Sequence, residues 1–184
     1  MEQSQQVEQE VRQWLQQVVV GLNLCPFAGK PLADNIVRIH VTDSPDPESL
    51  LQVLFDEILL LQETPAQELE TTLVVLTGVL QSFDEFNQFL DLSDQLLVDR
   101  HWQGDFQIAT FHPQYCFAGL SPDSVENLTN RSPYPILHII REESLERALA
   151  HYPNPEAIPQ RNIERMSQLS AQEKKMLFPY LFAK

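Results

Sequence analysis

The chain has 184 residues, 43% of them hydrophobic, and a formal net charge of −14. The length fits one domain with a core of its own, and the composition excludes a disordered chain. The charge argues against a nucleic-acid backbone as partner, and the lack of any apolar run of about 18 residues argues against a membrane span.

Taken in order, Val7, Val11, Trp14, Leu15, Val18 and Leu22 recur at helical spacing, predicting a first helix over 5–22 that ends before Cys25-Pro26. Asn35 to Val41 alternates as a strand, with Val37, Ile39 and Val41 on one face and Arg38 and His40 on the other. Asp46-Pro47 has the form of an N-cap followed by proline at the first helical position, so a helix is expected from Pro47 to about Gln62. Thr71 to Thr77 is a β-branched run that predicts a buried strand. Ser82-Phe83-Asp84-Glu85 has the form of a capping box and opens a helix toward Arg100. Asp105 to His112 and Pro135 to Ile140 are the third and fourth strands. Ser144 is expected to cap a short helix ending near His151. Pro153, Pro155 and Pro159 punctuate the next stretch, and a second capping box, Ser170 to Glu173, starts a last helix toward Phe178.

Strands separated by amphipathic helices define an α/β fold, here a two- or three-layer sandwich around a four-stranded mixed sheet with crossover helices, in a single domain over 1–184. The third and fourth strands lack a helix between them and are expected to pair antiparallel. The 23-residue stretch from Pro113 to Pro135 that joins them is long for a compact domain, and its aromatics argue against disorder.

The charge is uneven. Residues 1–100 carry 4 basic and 17 acidic side chains, and residues 101–184 carry 8 and 9, so a local cationic pocket is expected in the second part. The polar, acidic first residues lack the features of a signal peptide, which points to the cytoplasm. Two cysteines make no disulfide framework.

Cys25 and Cys116 each lie in an apolar-Gly setting just past a regular element. Either becomes a reactive thiol if a nearby cation lowers its pKa, with Lys30 and His112 the candidates closest in sequence. The bland alternative is that both are small buried hydrophobes. His112 and Cys116 have a metal-like spacing that His138 and Cys25 could complete, but there is no paired CxxC element, and no metal or other cofactor is assigned. Otherwise His112 caps a strand end and His138 is a satisfied core histidine. Arg131, Arg141, Arg161 and Lys30 sit beside Pro or Gly punctuation or at strand ends, where guanidinium forks suit a carboxylate or phosphate; Asn162 adds hydrogen bonds.

Four segments carry a resemblance: Gly21-Leu22-Asn23-Leu24-Cys25-Pro26-Phe27-Ala28; Thr110-Phe111-His112-Pro113-Gln114-Tyr115; Asn130-Arg131-Ser132-Pro133-Tyr134-Pro135 with Leu137-His138; and Ile158-Pro159-Gln160-Arg161-Asn162. In that order, and over nearly the whole chain, they resemble a bacterial family catalogued as domain of unknown function 1415. The resemblance implies a bacterial, single-domain protein and implies no reaction.

Two functions are therefore expected as alternatives. One is an enzyme or binder for a small anionic ligand. Cys25 or Cys116 with His112 would be its reactive group, and Lys30, Arg131, His138, Arg141, Arg161 and Asn162 its binding residues, all under the 113–135 loop. The other is a non-catalytic interaction module that docks through that loop. Convergence of the four segments on one concavity would favour the first; dispersal, with the arginines paired to acids, would favour the second.

Overall fold

The computed structural model describes residues 2–182. Four strands, β1 (Val37–Thr42), β2 (Thr71–Leu76), β3 (Phe106–Phe111) and β4 (Ile136–Arg141), form one mixed sheet in the order β1-β2-β4-β3. β1 and β2 are parallel, and β4 runs antiparallel to both β2 and β3. The expected antiparallel pairing of the third and fourth strands is thus present, with Phe106 opposite Arg141 and Phe111 opposite Ile136.

The sheet is the middle of three layers. On one face, α3 (Pro47–Glu63) and α4 (Phe83–Asp99) pack Leu50, Leu54, Ile58, Phe86 and Phe89 onto Val74, Leu137 and Ile139. On the other, α1 (Glu2–Trp14), α6 (Ile158–Ser167) and the segment after α7 (Ala171–Leu177) pack Val7, Val11, Trp14, Met166 and Phe178 onto Leu73, Val75 and Ile136. β2 is buried on both faces, which explains its continuous apolar run. α3 is the crossover between the parallel neighbours β1 and β2. α4 carries the chain over β4 to the far edge.

The caps differ from the sequence reading in two places. Asp46 does cap α3, accepting the Ser49 N–H at 2.8 Å, and Ser170 and Glu173 do form a reciprocal box on α7. Ser82 precedes α4 but its hydroxyl caps nothing. Ser144 is not a cap at all: α5 runs Glu142–Ala150 directly from the end of β4, so Ser144 lies in its first turn. Two helices were not expected, α2 (Gly29–Ala33) and α6, the latter opened by Pro159 in its first turn, where the missing N–H is harmless.

The first helix departs most. After Trp14 the chain widens into a π-helical segment, Leu15–Val20, closed by a Gly21 N–H that reaches the Gln16 carbonyl at 3.0 Å. A Cβ on Gly21 would lie 2.3 Å from the Gln17 oxygen, so only glycine ends this turn. The wider turn leads into the loop that carries Cys25.

Candidate functional site

A cavity of about 510 Å³ opens beside the sheet, where β1 and β2 begin and β4 ends. This size suits a small molecule. Its wall is mostly apolar: Leu15 and Val20 from the π-helical segment, Phe27, Leu32, Leu73 and Ile140. π-helical turns recur at functional sites because they shift side chains out of the α register, and both ends of this one face the cavity.

Its polar groups are few. Cys25, Thr71 and His138 lie within the cavity wall, and the rim carries Lys30, Asp34, Glu70, Ser144 and Arg147. Thr71 ends the β1–β2 connection, and His138 stands opposite Leu73 on the neighbouring strand. The Thr71 hydroxyl donates its one hydrogen to the Ile139 carbonyl. It therefore accepts from Nε2 of His138, 2.8 Å away. The hydrogen bonds thus fix the neutral tautomer with hydrogen on Nε2 and a free lone pair on Nδ1. Burial pushes the His138 pKa down to about 4, so the ring is neutral near pH 7.

Nδ1 is the atom left over. Among the described residues the enclosed side-chain nitrogens and oxygens without a partner are Trp14 Nε1, Thr72 Oγ1 and Arg141 Nε. Among the described residues Nδ1 of His138 has no hydrogen-bond partner, and the ring lines the cavity.

Burial raises the Cys25 pKa, against a smaller opposing pull from the Phe27 and Ala28 backbone, so Cys25 is a thiol rather than a thiolate at neutral pH. At the rim, Lys30 pairs with Asp34 one helical turn on, and Arg147 Nη1 lies 3.5 Å from Glu143, with 61% of the Arg147 side chain exposed.

The remaining sequence-predicted residues lie elsewhere. Cys116, His112 and Arg131 are at the opposite end of the sheet, in and around the 113–135 segment. His112 is fully buried. Its Nδ1 accepts the Gln114 N–H at 3.0 Å, its Nε2 donates to the Leu80 carbonyl at 3.3 Å, and its ring packs against Phe83 and Phe86. Burial lowers its pKa too. The segment is laced by Asn127, whose Oδ1 takes the Phe117 N–H at 3.0 Å and whose Nδ2 donates to Ser121 O at 2.9 Å. Arg131 donates to the Tyr115 and Pro122 carbonyls at 3.3 and 2.7 Å. The Cys116 thiol turns to the Leu120 carbonyl at 3.5 Å. The two cysteines are both free and share no site. Among the described residues no three His, Cys, Asp or Glu side chains gather as a metal site.

Arg141 turns its Nη2 to the carbonyls of Leu61, Thr64 and Leu69, which share its two hydrogens, and so ties the C-terminus of α3 and the loop after it to the end of β4. Arg161 stacks over Tyr152 at 5.4 Å, and Tyr152 in turn meets Phe27 edge-on. Asn162 donates to the Leu24 carbonyl at 2.8 Å, tying α6 to the turn before Cys25. Arg38 grips the buried Glu57 at 2.8 and 3.0 Å, with His40 alongside. Of the sequence-predicted set, then, the cavity gathers Cys25, Lys30 and His138. Thr71 and Arg147 were not anticipated: a threonine opening a strand and an arginine inside a helix carry no punctuation in the sequence.

A three-layer α/β protein with an apolar cavity at one end of its sheet is the class that fold and geometry define. Residues 6–176 match the model of a family described as protein of unknown function (DUF1415). The chain belongs to that family. No curated protein and no solved structure matches it. No helix among the described residues is long and apolar enough to cross a membrane.

Proposed function

We propose that the protein binds a small amphipathic molecule in the cavity, with its apolar body against Leu15, Phe27, Leu73 and Ile140 and an anionic group at the rim. The observation that carries this reading is the cavity's make-up: apolar walls with a few convergent polar groups, on a π-helical turn. Arg147 receives the anionic group. Its contact with Glu143 is long and exposed, and exposed pairs are worth at most about 1 kcal/mol, so a ligand carboxylate displaces Glu143 readily. The thiol state of Cys25 favours binding over nucleophilic attack. Two free cysteines fit the cytoplasm, and the acidic balance disfavours nucleic acid. The alternative of docking through the 113–135 loop has less support, because its aromatics pack on one another and on Phe83.

The test is a thermal-shift titration with 3-phenylpropionate and its uncharged alcohol at millimolar concentration. The acid stabilises the wild type more than the alcohol does, because a ligand of the native state alone raises its stability. Ala148→Trp, which fills the cavity, abolishes both effects, and Arg147→Ala removes the difference between them. No shift with either probe overturns the reading.

A further inference from the structure

Resting on that cavity reading, we infer that the ligand class is narrower: its apolar body carries a hydroxyl or N–H group, which it donates to Nδ1 of His138. The carrying observation is the use of Thr71. Its single hydrogen goes to the Ile139 carbonyl, so its oxygen can only accept from Nε2. The imidazole is thereby held in one tautomer and in one orientation, with an acceptor and no donor left over. Nothing in the described chain meets that acceptor, and its ring lines the cavity.

The surroundings sharpen the requirement. Leu73 and Ile140, beside His138 on the same face of the sheet, are apolar, and so is most of the wall. A purely apolar group placed against Nδ1 would strip water from a lone pair and return nothing, whereas a hydroxyl or N–H satisfies it. A carboxylate offers no hydrogen, so it is excluded from this position and belongs at the rim. A cavity that recognises a hydroxyl by a fixed partner discriminates strongly against the analogue that lacks it. The neutral ring near pH 7 keeps the lone pair available.

The experiment compares two probes of matched shape on the full chain, 3-(4-hydroxyphenyl)propionate and 3-(4-methylphenyl)propionate, by calorimetric titration. The hydroxylated acid is expected to bind at least about tenfold more tightly to the wild type. His138→Phe keeps the ring volume and is expected to bring the two affinities together without abolishing binding of the methylated acid. Because that variant removes a buried hydrogen bond and could fold poorly, ¹⁵N chemical shifts of the wild-type imidazole give an independent readout. They are expected to show hydrogen on Nε2 and to move at Nδ1 when the hydroxylated probe alone is added. Equal affinities in the wild type, or an imidazole with its hydrogen on Nδ1, overturn the inference and leave the cavity reading standing. Binding of neither probe overturns both.

Discussion

The two ends of the sheet hold the same chemical types in opposite conditions. At one end His112, Cys116 and Asn127 have every side-chain polar atom turned to a partner in their own chain, and Arg131 is held on two carbonyls. At the other, His138 has one nitrogen bonded and the other without a partner among the described residues, and both His138 and Cys25 line a cavity. A buried polar group with all its bonds made stabilises the fold. A polar group held in place by one bond, with its other side on a cavity, is free to bond something outside the chain. Residue type alone does not distinguish the two conditions.

The largest effect that could break this comparison is at the satisfied end. Asn127→Ala leaves the Phe117 N–H and the carbonyls of the loop unpaired, and is expected to lower stability by roughly 2–4 kcal/mol in urea unfolding, with cavity binding unchanged. A neutral outcome would mean that the loop is held by other contacts. Arg141→Met removes the clamp on two carbonyls at the end of α3 and one in the loop that follows, and is expected to cost about 2–3 kcal/mol. An unchanged stability with lost anion binding would instead restore Arg141 as a ligand residue.

Acid titration reads both histidines, His138 the more strongly. The folded state holds His138 neutral, with its pKa near 4, while the unfolded chain takes up a proton near 6.5. The unfolded state therefore binds more protons between those values, so stability is full above about pH 6.5 and falls as the pH drops toward 4. The slope for one such group is at most about 1.4 kcal/mol per pH unit. His112, shifted in the same direction, adds to the loss. His138→Phe is expected to flatten part of the profile; an unaltered profile means that His138 is not held neutral.

Thiol labelling gives a smaller effect. At neutral pH Cys25 is expected to react with iodoacetamide more slowly than an ordinary thiol, and a cavity ligand should slow it further without protecting Cys116. Protection of Cys116 instead would move the site to the loop. Arg161→Ala should do least: the side chain is exposed and does not line the cavity, so stability is expected to change by about 0.5 kcal/mol or less. Loss of anion binding in that variant would contradict this.

The sheet was legible in the sequence because the β-branched runs, alternating faces and prolines at helix starts are local signals. The Asp46 cap and the Ser170–Glu173 box belong with them. The Ser82 box was not formed, since the motif permits a cap without requiring one. The site was half legible. Cys25, Lys30 and His138 stood out by type and punctuation, but whether an arginine faces a ligand or a carbonyl depends on tertiary packing. Arg131 and Arg141 both ended on backbone oxygens of segments that the sequence does not show to be near. The long loop drew attention by its length, yet its prolines and Asn127 serve its own closure. The π-helical turn left no periodic trace, because Leu15, Val18 and Leu22 keep a spacing that an α-helix would also show.

The most direct test of the central claim is an amide chemical-shift map of the full chain saturated with 3-(4-hydroxyphenyl)propionate. Shifts gathered on Cys25 to Ala28, Thr71, His138 and Leu145, with the 113–135 segment still, are the predicted result. Shifts centred on Tyr115, Cys116 and Arg131, or none anywhere, would contradict it.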